Sequence, residues 1–111
     1  MKGDHLGEFE ELVLLAVHGL GESAYGVRVK TLLEQETRRD VSIGAVYAAL
    51  DRLEAKGLVR SAMVEGTPVR GGRSRRVFLV TSAGARSLET VRRVRERLYS
   101  AARARPLRQR P

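Results

Sequence analysis

The 111-residue chain has no cysteine, no tryptophan and only two histidines. Without cysteine there are no disulfides, no thiolate nucleophile and no thiolate metal site, which agrees with a reducing compartment. His5 and His18 stand 13 residues apart and cannot share one helical face at ligand spacing, so they make no metal pair. His18 reads as a half-buried or capping side chain, and His5 sits in the terminal run. There is no Walker loop, no HExxH and no G-x-S-x-G, and no serine or aspartate stands in a nucleophile arrangement with either histidine. Enzymatic chemistry, a metal and a cofactor are therefore not expected.

Long apolar runs are missing too. The longest, Leu12 to Val17, is far short of a membrane span, and the opening MKGDHLGEFEE places acids where a signal peptide needs an apolar core. No membrane partner and a cytoplasmic location follow as expectations. What remains is a chain long enough for one modest core, with 42% hydrophobic and 31% charged residues.

The charge is unevenly placed. Residues 1–64 carry a net −2 and residues 65–111 a net +10, and all 13 basic residues of the second part are arginine. A guanidinium grips phosphate oxygens in pairs where an ammonium acts as a point charge, so this choice suits a nucleic-acid partner. A GC-rich coding sequence would also exchange lysine for arginine.

The stretch around which the chain is organised is Ser42 to Gly57, SIGAVYAALDRLEAKG. Ser42 is an N-cap, and Ile43, Val46, Tyr47, Leu50 and Leu53 recur as one apolar stripe at helical period. Lys56 and Gly57 form the stop, a cation at the negative pole followed by a residue at ease in left-handed conformation. The opposite face carries Gly44, Ala45, Ala48, Asp51 and Arg52. With so few bulky side chains it can be approached closely. It is either a solvated surface with alanines chosen for helix propensity, or a recognition helix laid in the DNA major groove.

The rest of the chain follows in order. Leu6 to Leu20 is a first helix with Phe9, Leu12, Val13, Ala16, Val17 and Leu20 inward and Leu14 and Leu15 widening the buried arc. Glu8, Glu10 and Glu11 oppose its positive pole. Ser23 caps a second helix from Ala24 to Thr37, with Tyr25, Val29, Leu32 and Leu33 inward. After Gly57 the period changes to two: Leu58 to Val64 and Arg76 to Val80 form a hairpin around EGTPVRGGRSR, a wing whose Arg70, Arg73, Arg75 and Arg76 suit phosphate or minor-groove contact. Thr81 caps a last helix to about Arg103. In it Leu88, Val91, Val94, Leu98 and Ala101 form a seam close to a coiled-coil pattern. That seam either folds back on its own core or pairs with a second copy, and homodimerisation is the expectation.

The predicted fold is mostly α with a small β-hairpin: a winged helix-turn-helix in residues 1–80, a dimerisation helix in 81–105, and a disordered PLRQRP tail in 106–111. The segments LGEFEELVLLAVHGLGESAYGVRVKTLLE, SIGAVYAALDRLEAKGLV and GGRSRRVFLVTSAGARSL, in that order, give a chain that resembles the PadR family of bacterial winged-helix transcriptional regulators over about residues 6–88. The resemblance implies a dimeric repressor whose third helices enter successive major grooves, with the wing beside them. By position it assigns Tyr25 and Gly26 to the start of helix two, Ser42, Gly44 and Tyr47 to the reading helix, and Arg75 and Arg76 to the basic start of the second wing strand. Ala48 stands where the family often has proline, and Phe78 where it often has tyrosine. Some relatives bind flat aromatic drugs or phenolic acids between interface aromatics, often tryptophans. With only Tyr99 in the last helix, no such inducer is assumed here.

The expected function is thus a homodimeric, sequence-specific DNA-binding repressor on a pseudo-palindromic operator. Tyr25, Ser42, Gly44, Ala45, Tyr47, Ala48 and Arg52 line or border the groove-facing side, and Arg52 is the leading candidate for a base or phosphate contact. Tyr47, at the margin of the stripe, either packs its ring or offers its hydroxyl to a phosphate. A winged-helix module for an acidic protein partner, or a nonspecific nucleic-acid binder, is the competing reading. Neither the operator nor any inducer is legible in the chain.

Overall fold

The computed structural model describes residues 6–66 and 74–105. The expectations placed on Arg70, Arg73 and the 106–111 tail lie outside the described residues. The elements run α1 (Glu8–Leu20), a short 3-10 turn (Gly21–Ser23), α2 (Gly26–Thr37), α3 (Ile43–Ala55), β1 (Val59–Val64), β2 (Arg75–Val80) and α4 (Ser82–Ala104). This is the four-helix, single-hairpin order of a winged helix. No described helix is long and apolar enough to cross a membrane.

Helix α1 packs against α2, α3, β2 and α4 and lies at the centre of the assembly. It buries Val13, Leu14, Ala16 and Val17, while Leu15, expected to widen the buried arc, is 47% exposed. The arc is narrower than the apolar run because the neighbours of α1 leave that side open. The core is completed by Val29 and Leu33 of α2, by Val46, Ala49, Leu50 and Leu53 of α3, and by Phe78 of β2.

The second helix departs from expectation at its start. Ser23 does not cap it: its hydroxyl donates to the Leu20 carbonyl at 3.1 Å and closes the 3-10 turn. Ala24 instead turns the chain at φ −83°, ψ 69°, and Tyr25 runs extended along the wing. The Phe78 amide donates to the Ala24 carbonyl at 3.0 Å, and Tyr25 bridges Val77. A backbone partner in β2 therefore overrides the local capping signal. The helix ends at Arg38, which holds the left-handed conformation at φ 59°.

Glu34 then closes the turn into α3. Its Oε2 accepts the Val41 amide at 3.0 Å, and Lys30 pairs with the same carboxylate at 3.1 Å. The Val41 amide first and the Lys30 ammonium second hold the Glu34 carboxyl below its ordinary value.

Helix α3 has both expected termini. The Ser42 hydroxyl accepts the Ala45 amide at 3.0 Å. At the far end Gly57 takes φ 77°, with its amide on Glu54 O and the Leu58 amide on Leu53 O, both at 2.9 Å. That pair of bonds is a Schellman closure, and buried Leu53 and Leu58 supply the apolar contact that accompanies it. The buried stripe differs from the expected one in two places. Ile43 is 38% exposed, with Val41 two residues before it buried at that end, and Ala49 is fully buried in its stead.

Strands β1 and β2 pair antiparallel from Val59 opposite Val80 to Val64 opposite Arg75. The turn before β1 is fixed from α4. The Thr81 hydroxyl accepts the Gly84 amide at 3.0 Å and donates to Gly57 O at 2.7 Å, while the Thr81 amide donates to Leu58 O at 3.0 Å. Gly84 lies so close to this turn that a Cβ there would overlap the Leu58 carbonyl oxygen and stand 2.9 Å from Val80 Cγ1.

Replacing Gly84 by alanine sets about 1 kcal/mol of helix propensity against about 1–3 kcal/mol of overpacking onto backbone that cannot yield. Gly84→Ala is therefore expected to lower the urea midpoint. A raised midpoint would show that α4 can lift off the turn at no cost.

Candidate nucleic-acid interface

The outward face of α3 is made by Gly44, Ala45, Ala48, Asp51 and Arg52, all exposed. A Cβ built on Gly44 meets nothing within 4 Å. Ser42 is exposed at the same end, where its capping bond frees the helix from needing a neighbour. The expected small-residue surface is thus present and open.

Two ionic clamps hold the helix along the edges of this surface. On the α1 side, Glu10 reaches α3 with only 10% of its side chain exposed. Its Oε2 accepts Arg52 Nε at 2.7 Å and its Oε1 accepts Lys56 Nζ at 2.6 Å. Burial pushes the Glu10 carboxyl up, but the hydrogen bonds from Lys56, Arg52 and the Gly7 amide outweigh it and hold the group below its ordinary value. On the wing side, Arg76 Nη2 donates to Glu54 Oε1 at 2.8 Å and lies 3.6 Å from Asp51 Oδ1. Glu54 also accepts the Ser61 hydroxyl at 2.9 Å and the Ser61 amide at 3.2 Å. The Ser61 hydroxyl, with help from Arg76, holds the Glu54 carboxyl below its ordinary value against a smaller upward push from burial.

Beside the wing clamp a cleft of about 480 Å³ opens between the start of α2, Tyr47 of α3 and the start of β2. Its wall carries Tyr25, Arg28, Tyr47, Ser74, Arg75 and Arg76. The Arg75 guanidinium carbon lies 5.0 Å from the Tyr25 ring centre, and that of Arg76 4.7 Å from the Phe78 ring centre, both in cation–π range. Tyr47 is half-buried, with its ring against Gly26 so closely that a Cβ on Gly26 would overlap it, and 6.4 Å from the Phe78 ring. Its packing role is therefore present, and its hydroxyl stands at the cleft.

Of the residues expected at the site, the structure brings together Tyr25, Tyr47, Arg75 and Arg76 around the cleft, and Ser42, Gly44, Ala45, Ala48 and Arg52 on the open face. Arg52, which is exposed, and Arg76, which is half-buried, are both engaged by carboxylates. Arg28 and Arg39 were not anticipated. Arg28 lies one turn beyond Tyr25 on α2, and Arg39 shares a shallow depression with Phe9, Ser42 and Ala45. The i, i+3 spacing from Tyr25 and the position just before the Ser42 cap are the signals that point to them.

In the last helix the expected seam divides. Leu88 is buried in the core and Val91 is half-buried, whereas Val94 and Leu98 are 40% and 65% exposed and Ala101 is exposed. Arg95 ties the middle of α4 to α1 through Glu11, at 2.7 Å and 3.1 Å. A groove of about 510 Å³ follows this junction, lined by Leu6, Val91, Val94 and Leu98 among others.

Because the folded pKa values of Glu10 and Glu54 lie below the ordinary 4.5, both clamps stabilise the fold above that value. Their contribution is lost as the pH falls through the lower folded values. The urea midpoint is expected to drop on acidification below 4.5. Glu10→Gln with Glu54→Gln should flatten that drop, and an unaltered acid limb would assign it to other carboxylates.

Comparison with known proteins agrees with this geometry. No curated protein sequence matches the chain. Among solved structures, a PadR-like transcription factor from Bacteroides fragilis is similar at 25% identity and TM-score 0.71, with 86% of this chain and 87% of that one covered. A PadR family regulator from Clostridium difficile R20291 is similar at 22% identity and TM-score 0.68, covering 88% and 97%. Bacillus subtilis PadR in complex with operator DNA shares the fold at 13% identity and TM-score 0.59, covering 94% of this chain and 49% of that one. The sequence profile of the transcriptional regulator PadR-like family matches residues 14–90, which span α2, α3 and the wing together with parts of α1 and α4. With its open α3 face and cationic wing, the chain belongs to the PadR-like family of transcriptional regulators.

Proposed function

We propose that the chain is a homodimeric repressor that reads a pseudo-palindromic operator through the face formed by Gly44, Ala45 and Ala48. The observation that carries this reading is the shape of that face. It is exposed, built of a glycine and two alanines, and bordered by Ser42, Tyr47 and Arg52. A duplex can approach such a helix to the backbone, where base edges come within reach. Arg28 and Arg75 beside the cleft supply sequence-independent attraction to phosphate, as Arg70 and Arg73 of the wing loop would, so affinity falls with rising salt. The Bacillus subtilis relative, in complex with operator DNA, supports duplex DNA as the partner.

Dimerisation rests on α4. Its first turns are rooted in the core by Leu88, while Val94 and Leu98 remain exposed on one side. A second copy paired along these residues would cover them and set two α3 helices roughly 34 Å apart, one turn of DNA. In this reading residues 1–80 read the operator and residues 81–105 pair the protomers. Repression follows from occupying a promoter against polymerase.

The test is selection of the purified protein against a random duplex pool at physiological salt. An enriched inverted repeat is expected. Binding without enrichment would leave a nonspecific nucleic-acid binder, and no binding would favour an acidic protein partner. Leu98→Asp is expected to give a folded monomer by light scattering whose affinity for the enriched duplex falls about tenfold or more, since two linked half-sites become one. A dimeric Leu98→Asp protein would place the interface elsewhere.

A further inference from the structure

Glu10 sits in the first turn of α1, where a carboxylate needs no partner beyond the helix pole. Here it is turned inward instead, and it takes the Arg52 guanidinium of α3 and the Lys56 ammonium at the helix's C-cap in addition to the Gly7 amide, the last at 3.4 Å. Desolvation of a carboxylate so nearly buried between two cations offsets part, though not all, of what the attraction adds to stability. Its physical effects are on orientation and charge. The 2.7 Å bond to Nε anchors the base of a guanidinium whose side chain remains 54% exposed at the border of the small-residue face. The same carboxylate cancels one of the two positive charges that α3 carries along this edge. A long cationic side chain left unheld would find any phosphate. One anchored at Nε favours the base step that its remaining N–H groups reach.

We infer that Glu10 is a positioning residue for DNA discrimination: by holding Arg52 and neutralising part of the Arg52–Lys56 pair, it trades nonspecific affinity for sequence preference. This rests on the DNA-reading function proposed above. It makes a residue of α1 a determinant of specificity.

The experiment compares wild type and Glu10→Gln by fluorescence anisotropy over a series of salt concentrations. The probes are the duplex enriched from the random pool and a scrambled duplex of the same length and composition. Glutamine keeps the size and removes the charge. Glu10→Gln is expected to bind the scrambled duplex severalfold more tightly, with the slope of log affinity against log salt steeper by about one unit per protomer. The preference for the enriched duplex is expected to fall about tenfold. Parallel weakening on both duplexes, or no change on either, overturns the inference, since loss of a merely structural contact cannot raise nonspecific affinity. If Glu10→Gln lacks a cooperative melt, Arg52→Gln tests the same link from the exposed side. There the preference should fall with no gain on the scrambled duplex, and an unchanged preference overturns the inference. A wild-type protein that does not distinguish the two duplexes overturns the DNA-reading function itself, and this inference with it. A discriminating wild type with unaltered variants overturns the inference alone.

Discussion

Everything in this molecule answers to one requirement, that a single thirteen-residue helix bury one stripe completely and leave the opposite face bare. Val46, Ala49, Leu50 and Leu53 are each fully buried, and the opposite side holds side chains no larger than methyl at three consecutive exposed contact positions, Gly44, Ala45 and Ala48. At about 25 cal/mol per Å² of apolar surface, that stripe is what keeps α3 on the domain. The bare face contributes nothing to folding. It is free to be shaped by what approaches it.

A helix anchored by one stripe can still roll about its axis, and the two ionic clamps act against this. They have opposite polarity. Toward α1 the helix offers cations, Arg52 and Lys56, to the carboxylate of Glu10. Toward the wing it offers carboxylates, Asp51 and Glu54, to Arg76. The wing clamp is half-exposed and solvent screens it, but it also ties β1, through Ser61, to the last turns of α3. Rotation in either sense would break one clamp or the other. The small-residue face is thereby given a fixed direction relative to the cationic cleft beside β2.

The last helix is built in two regimes. Its start is locked to the Gly57–Leu58 turn by Thr81 and by the close seat of Gly84, so α4 and α3 meet the same piece of backbone. Its middle carries its own pairs, Glu89 with Arg92 and Arg93, and Arg92 with Glu96, before the far half leaves the core. Such i, i+3 and i, i+4 pairs favour the helical conformation where packing thins. The Arg95–Glu11 pair marks the boundary between the two regimes.

The order of elements, the limits of α3, the Ser42 and Thr81 caps, the Gly57 stop and the small-residue face were all readable from the chain. Each is set within about one turn of sequence: a hydroxyl three residues before an amide, a glycine after the last apolar position, a period of 3.6 giving way to two. The same local reading failed where a distant partner intervened. Ser23 lost its capping role because β2 claims the backbone at Ala24 and Tyr25. Ile43 came out of the stripe and Ala49 entered it because the extent of the core is fixed by where α1 and α2 cross α3. Arg52 and Arg76 could be picked out as cations but not as clamped ones, since their partners lie 42 and 22 residues away. Periodicity and capping are short-range consequences of backbone geometry, and the sequence by itself determined them. Which carboxylate meets which cation depends on the crossing of helices, and only the tertiary structure decided it.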